Sequence, residues 1–392
     1  MPVNSREQLR QQIDSLPDKI IEQIAQFTQT LTTKQETLEC GDCESVQLKE
    51  PSLPLKGNDE IDSNEYDPIR PEDLPYLKCE NLEGRPILLD LFHDGKKWHY
   101  WVPLDNGLLQ PIAVYDCLEM IYLAKQPVRD SDASFPLINF LYKHVDIQNI
   151  DPFLSALISD IFNLGTSLKK LDLILEFKGL EIAPRLVTTE LEYLILLCRS
   201  MFDLLQEIVS RTWDTVELID KSIKKKKLPS SFTNMVLYEK KIRSSEQIRE
   251  RFGVNPSLAE WYSKYAPFFC NLREVRDAIV HQTLTEPLIY IDDKGFSIGI
   301  KSSPSPFQKL VQFPENILEK ESIAPLNYFV AYFVRETLAA CAEFAIAINK
   351  EIRFAPDFAP DCQYFMRSPS IPSLLGLEKI LKENPWAEFT ML

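Results

Sequence analysis

A single unbroken apolar stripe in the second half of the chain limits the fold more than any other feature. From about Val187 to Ile219, the residues Leu191, Leu194, Ile195, Cys198, Phe202, Leu205, Val209 and Trp213 recur at three- and four-residue steps. Only a helix puts such positions on one face, and so long an apolar face must be buried against other elements. Similar spacing runs from Pro136 to Phe177 through Leu137, Phe140, Leu141, Phe153, Leu157, Ile161, Leu168, Leu171 and Leu175. It returns over 231–252, over Pro256 to Val280, and from Pro325 to Ile352 through Phe329, Phe333, Leu338, Cys341, Phe344 and Ile348. Helices packed on helices, a mainly α chain built as an up-and-down bundle, are the expected outcome. The 27 prolines set against 11 glycines fit helices stopped by proline-containing loops, not a glycine-rich phosphate-binding fold.

Two stretches break the helical rhythm. PILLDLF and WHYWVPL flank Asp94-Gly95, a strong hairpin signal, and PLIYIDDKGFSIGI predicts a second hairpin turning at Asp293-Lys294-Gly295. DCLEMIYLAKQ, just after the first hairpin, has helical spacing. The predicted organisation is an amphipathic helix pair at 1–33, a flexible acidic linker at 34–66 and a small α+β module at 67–130. A helical connector at 131–185, the bundle with its small hairpin at 186–353, and a proline-rich tail with a short helix at 354–392 complete it. The helix pair, marked by Leu9, Ile13, Ile20, Ile21, Ile24, Phe27 and Leu31, is too short to stabilise itself, so a protein partner is expected there.

With 392 residues the chain is long enough for more than one folded unit. Its net charge of -15 disfavours general nucleic-acid binding, but the charge is uneven. Residues 1–66 hold 13 acidic and 6 basic residues, whereas 221–251 hold 10 basic and 3 acidic. One local polyanion contact is therefore permitted, with Lys224, Lys225, Lys226 and Lys227 as candidate phosphate-binding residues. No apolar run of membrane-spanning length lacks charge, no secretory h-region is visible, and eight scattered cysteines suit a reducing cytosol, so a cytoplasmic protein without a membrane partner is expected. Cys40 and Cys43 form a CxxC without the second pair that tetrahedral zinc needs, and no metal or other cofactor is implied. Trp98, Tyr100 and Trp101 in the first hairpin suit core packing on alternating strand faces.

The candidate chemistry lies in REVRDAIVHQ, residues 273–282, which contains one of only four histidines. Arg273, Asp277 and His281 fall at i, i+4 and i+8 on one helical face, and Arg276 lies about a quarter-turn aside. Asp277 is placed to accept a hydrogen bond from His281 and fix its tautomer. A titratable group beside guanidinium groups supplies what phosphodiester cleavage by a ribose hydroxyl needs: proton transfer, and stabilisation of charge on the phosphoryl oxygens. The same spacing equally serves a surface ion-pair ladder.

RDAIVH resembles the signature of the HEPN superfamily, an arginine, a polar residue, three variable residues and a histidine, late in a four- or five-helix bundle. TTELEYLILLCRSMFDLLQEIV is similar to the first long helix of that family, and the resemblance covers about residues 186–352. It implies a HEPN-like bundle and a homodimer whose two motifs meet across a shared cleft. It also implies a metal-independent endoribonuclease activity of the kind that serves RNA processing, toxin–antitoxin or antiviral defence systems. Arg276 would then stabilise the scissile phosphate, His281 would act as acid and base, and Asp277 would be the polar second position, with Arg273 beside them. Asp203 and Glu207 both fit the acidic residue of the first helix. Since many relatives are non-catalytic, the resemblance equally allows a dimerisation or binding module that scaffolds protein or nucleic-acid partners.

Overall fold

Asp94 and Gly95 close the first hairpin as expected. Gly95 adopts φ +98°, a conformation open to glycine, and the Asp94 carboxylate accepts hydrogen bonds from the backbone N–H groups of Lys96 (2.7 Å) and Lys97 (2.9 Å). The computed structural model describes residues 67–85, 89–145, 150–177, 179–281, 289–292, 295–299, 310–311 and 323–383. The chain divides into Met1–Asp62 and Ser63–Leu392, and the described residues belong to the second unit. The expected helix pair, the acidic linker and the CGDC cysteines lie outside them.

The hairpin joins β1 (Phe92–His93) to β2 (Trp98–Pro103), with Phe92 opposite His99. β3 (Leu109–Ile112) extends it at one side. On the other side lies β4 (Met120–Ala124), parallel to β1. This strand replaces the helix expected at DCLEMIYLAKQ. Tyr122, Leu123 and Ala124 are all buried, so the strand is covered on both faces and shows no in-out alternation. A short run of this kind has the same apolar pattern as a buried helix turn.

The helices follow. α1 is Pro136–His144, α2 Asp151–Glu176 and α3 Ala183–Trp213, each with a proline in its first turn, where the missing N–H costs nothing. After β5 (Glu217–Leu218) come α4 (Phe232–Val236), the hairpin β6 (Leu237–Tyr238) and β7 (Lys241–Ile242), and α5 (Ser245–Phe252). The single polar helix expected over 231–252 is thus two helices around a turn, because Glu239 and Lys240 both take positive φ. α5 begins with a capping box, Ser244 accepting from Gln247 N–H and Gln247 from Ser244 N–H. α6 (Pro256–Val280) starts at Asn255, whose side chain accepts from Leu258 N–H at 3.0 Å.

The second hairpin forms as expected between β8 (Ile289–Asp292) and β9 (Gly295–Gly299), and β10 (Ile323–Pro325) adds a third strand beside β9. α7 (Leu326–Asn349) leads into β11 (Ile352–Arg353), β12 (Gln363–Arg367), α8 (Ile371–Leu375) and α9 (Leu377–Lys382).

α3 is the central helix. All eight residues of its apolar stripe are almost fully buried, and it packs against α2, α6 and α7. Phe202 meets Phe232 of α4 and Phe269 of α6 at ring-centroid distances of 5.1 and 5.7 Å. Each such aromatic ring contributes on the order of 2–3 kcal/mol by burial alone. The described residues are therefore mainly α-helical with several small sheets.

The expected tail at 354–392 is not separate from the module at 67–130. β12 pairs antiparallel with β4, completing the sheet order β12-β4-β1-β2-β3, and α1 packs on both β12 and α7. Arg367 of β12 fixes this junction. Its guanidinium donates to Asp132 at 2.8–3.2 Å, and the ring centroids of Trp98 and Tyr122 lie 5.2 and 5.4 Å away. Nothing in the local sequence around Gln363 announces this partner, which is more than 200 residues distant.

Candidate functional site

The last two turns of α6 carry Arg273, Arg276 and Asp277, and His281 is the residue that caps the helix. Leu272 and Val275 bury the opposite side of the same turns in the core. The three charged side chains are each a little under two-fifths exposed, and His281 is exposed. Arg276 Nη1 donates to Asp277 Oδ1 at 2.9 Å, and Arg273 Nε lies 3.5 Å from Asp277 Oδ2.

Asp277 therefore holds two guanidinium groups and not the imidazole, against the expectation that it orients His281. Two permanent positive charges attract the carboxylate more strongly than a neutral ring. His281 has also left helical geometry, at φ −90° and ψ 5°, so the i,i+4 side-chain register fails at this position. Its backbone N–H still donates to Asp277 O at 3.0 Å.

A second helix contributes Asp203, one of the two acids that the resemblance left open, together with Arg199, which the sequence did not single out. Arg199 of α3 forms an i,i+4 ion pair with Asp203 and lies over the Phe269 ring of α6, 5.5 Å from its centroid. Burial lowers the pKa of Arg199, the charge of Arg276 lowers it further, Asp277 opposes this, and Arg273 adds a smaller lowering effect. Arg199 thus senses all three charged residues of the α6 motif. Asp203 Oδ1 and Arg199 Nε are buried without a hydrogen-bond partner among the described residues. Between the two acids left open by sequence, Asp203 faces this cluster through Arg199, whereas Glu207 pairs with Arg211 at 3.7 Å. Arg199 and Asp203 flank Cys198 and Phe202 of the apolar stripe, a position at the edge of a buried face that offered a weak signal. The site comprises three guanidiniums, two carboxylates and one exposed imidazole, an arrangement able to bind an anion and to exchange a proton beside it.

The lysine run divides. Lys225 Nζ donates to the carbonyls of Trp213 (2.7 Å), Asp214 (3.3 Å) and Val216 (2.8 Å), satisfying acceptors that the end of α3 leaves open. Lys226 Nζ donates to Glu250 O at 2.7 Å. These two side chains tie the loop down, Lys225 through three carbonyls and Lys226 through one, while Lys224, Lys226 and Lys227 are exposed. The run also lies past the end of α3, whereas Arg199 is 14 residues before Trp213, roughly 21 Å along the helix axis. It does not line the arginine cluster.

Among the described residues no group of three or more His, Cys, Asp or Glu side chains is placed to hold a metal ion. His99 pairs with Asp94 at 2.8 Å, and His93 Nδ1 accepts from Gly95 N–H at 3.1 Å. Of the first hairpin's aromatics, Trp101 is buried, and Trp98 packs edge-on against Tyr122 at 4.9 Å. No described helix is long and apolar enough to cross a membrane. A concavity of about 560 Å³ opens beside α1, lined by Phe140, Lys143, His144, Asp357 and Cys362 among others. All three ammonium protons of Lys143 are taken there, by Asp357 and by the carbonyls of Ala359 and Cys362. No family model, no curated protein and no solved structure matches the chain, so the functional reading rests on the α3–α6 cluster itself.

Proposed function

We propose that the protein is a HEPN-like, metal-independent endoribonuclease acting in RNA processing or in a toxin or defence role, with its active centre at the C-terminal end of α6. The observation that carries this reading is the joint exposure of Arg276 and His281 on one helix end, with Arg199 of α3 resting on Phe269 one turn before Arg273. Arg276 holds the phosphoryl oxygens of the scissile bond. His281 takes the proton from the attacking ribose 2′-hydroxyl and returns one to the departing 5′-oxygen. Guanidinium charge aimed at the phosphoryl group stabilises the transition state without a metal. Asp277 acts as a positioning residue, fixing Arg273 and Arg276 relative to each other.

A homodimer fits this chemistry for a geometric reason. Helical side chains lean toward the N-terminus, so Arg276 points back along α6 while His281 sits beyond its last turn. A second copy meeting the same surface brings a His281 beside each Arg276. The test is RNA incubated with the full chain in EDTA, beside His281→Ala and Arg276→Ala. Loss of the acid–base group should cost roughly 10²–10⁴-fold in cleavage rate. Loss of the phosphate-binding guanidinium should cost about 10²–10³-fold. Cleavage that survives both substitutions, or that needs added metal, defeats the proposal.

One observation favours a second reading. Asp277 occupies both neighbouring arginines, and Val280, 51% exposed, presents an apolar side chain next to His281. An ion-pair ladder beside an exposed valine suits a non-catalytic dimerisation or binding module. Under that reading the wild-type protein dimerises without cutting RNA, and Val280→Asp dissociates the dimer.

A further inference from the structure

The β6–β7 hairpin carries a feature that the α6 site does not use. Leu237 pairs with Ile242 and Tyr238 with Lys241, and the two residues between them, Glu239 (φ +48°) and Lys240 (φ +66°), both adopt left-handed backbone. Two positive φ values in a two-residue loop are the geometry of a type I′ turn, which Asn-Gly satisfies at least cost. Charged residues held there instead keep Lys240 at the tip, and Tyr238 stands 62% exposed at its base.

The tyrosine is backed by a fixed cation. The Arg243 guanidinium carbon lies 5.6 Å from the Tyr238 ring centroid and 5.3 Å from that of Phe252, while Nη1 donates to Asn234 O (2.7 Å) and Met235 O (3.0 Å). Phe252 ends α5, where the lysine loop runs alongside through the Lys226–Glu250 hydrogen bond and the close approach of Lys224 O to Gly253. Hairpin, helix end and lysine loop are therefore contiguous. Lys224, Lys240, Lys241 and Arg251 are exposed on them, and none makes an ion pair among the described residues. Positive charge here exceeds that of the neighbouring Glu239, Glu246 and Glu250, and in a chain of net charge -15 this local excess is a self-repulsion that a bound polyanion relieves.

We propose that this surface binds single-stranded nucleic acid, with a base stacked on Tyr238 and the flanking phosphates held by Lys224, Lys240, Lys241 and Arg251. An exposed aromatic face set among lysines and arginines is the pairing that reads unstacked bases together with their backbone. A duplex, whose bases are already stacked, has no use for the tyrosine. The proposal is independent of RNA cleavage at α6.

The test is fluorescence anisotropy with labelled 12-nucleotide oligouridine, oligothymidine and a duplex of equal length. The protein is the full chain carrying His281→Ala, in EDTA over a series of salt concentrations, so binding is read whether or not the α6 site cleaves. Both single strands are expected to bind more tightly than the duplex, and the ratio of the two distinguishes RNA from DNA as the preferred strand. Tyr238→Ala should weaken single-strand binding roughly five- to a hundredfold with an unchanged salt slope, and Tyr238→Phe should restore it. Replacing Lys240 and Lys241 together by alanine should flatten the logarithmic salt slope by about 1.4. Absence of single-strand binding, equal binding of duplex or of polyglutamate, or indifference to Tyr238→Ala would each overturn the proposal.

Discussion

Replacing Asp132 by asparagine should destabilise the protein by about 3 kcal/mol, because it strands the Arg367 guanidinium inside the sheet. The side chain of Asp132 is fully buried and that of Arg367 is 2% exposed. Three Arg367–Asp132 hydrogen bonds of 2.8–3.2 Å join them, and Tyr122 Oη (2.5 Å) and Arg129 N–H (3.0 Å) also donate to the same carboxylate. Breaking a buried pair by removing one partner costs about 3–5 kcal/mol, since the other charge stays uncompensated. The lower end applies to Asp132→Asn because Asp116, 43% exposed, still pairs with Arg367. The reverse variant, Arg367→Met, leaves Asp132 with only neutral donors and belongs near the upper end. The double variant should cost less than the sum of the two by about 2 kcal/mol, the mark of direct coupling. Urea unfolding followed by circular dichroism measures all three. Burial opposes ionisation of Asp132, but its hydrogen bonds from Arg367 and Tyr122 outweigh that and hold its pKa below the usual carboxylate value. Its contribution is therefore present above the unfolded-state pKa and lost as pH falls through the folded one, so wild type and Asp132→Asn should converge on acidification. Single-variant costs below about 1 kcal/mol, or strict additivity, would refute the view that this pair anchors β12.

Two further outcomes follow from local geometry. At Gly253, φ is +65° and an added Cβ would sit 2.2 Å from the backbone oxygen of Lys224, so Gly253→Ala should cost more than about 2 kcal/mol in thermal or urea unfolding. Gly107→Ala, with a similar φ of +80° but open space around it, should cost only about 1 kcal/mol, and equal costs would show that the loop approach is unimportant. Burial raises the Glu351 carboxyl to about 7, partly offset by the hydrogen bond from Asn255 N–H and reinforced by Asp220. A raised carboxyl favours the folded state below its unfolded pKa and loses that contribution as pH rises through the folded value. Stability of the wild type relative to Glu351→Gln should thus decline between about pH 4.5 and 7, and parallel urea-midpoint profiles for the two proteins would contradict it.

The helical part of the fold was legible because its signals are local. Leu191 to Trp213 repeat with one period, and Pro136, Pro152, Pro184 and Pro256 each stand in the first turn of a helix. Asp94-Gly95 marks its hairpin for the same reason. The failures share a different cause. β4 is buried on both faces, so Ile121, Tyr122 and Leu123 lost the alternation that would have separated strand from helix. The turn at Glu239-Lys240 lacks the glycine or asparagine that would have announced positive φ. β12 depends on pairing with residues more than 200 positions away, and on a buried arginine that reads as a surface residue in sequence. A proline-rich terminal segment therefore reads locally as a tail although it carries the sheet's edge strand.

The candidate site was legible along one helix and hidden across two. Spacing put Arg273, Asp277 and His281 on a common face, but spacing is silent about which partner a carboxylate prefers. Once a guanidinium precedes Asp277 by one residue and another by four, the imidazole competes against two permanent charges and loses. Asp277 thereby changes from the residue that orients His281 to the residue that spaces the arginines. On α3 the resemblance offered Asp203 beside Glu207, but Arg199 went unmarked for a geometric reason: with Asp203 it looks like an ordinary i,i+4 pair until α6 is packed against it. Packing places Arg199 within the field of Arg273 and Arg276, and that like-charge approach is unfavourable unless Asp203, Asp277 or an incoming anion offsets it. Two ion-paired groups, Arg199–Asp203 on α3 and Arg273–Asp277–Arg276 on α6, thus lie along one helix junction, Arg199 resting on Phe269 one turn before Arg273. Under the proposed function, the one positive charge that the two carboxylates leave over is what a phosphate would meet. Asp203 pairs with Arg199 and Asp277 with Arg273 and Arg276, while His281 has no side-chain partner among the described residues and is, under the proposed function, the group that moves the proton.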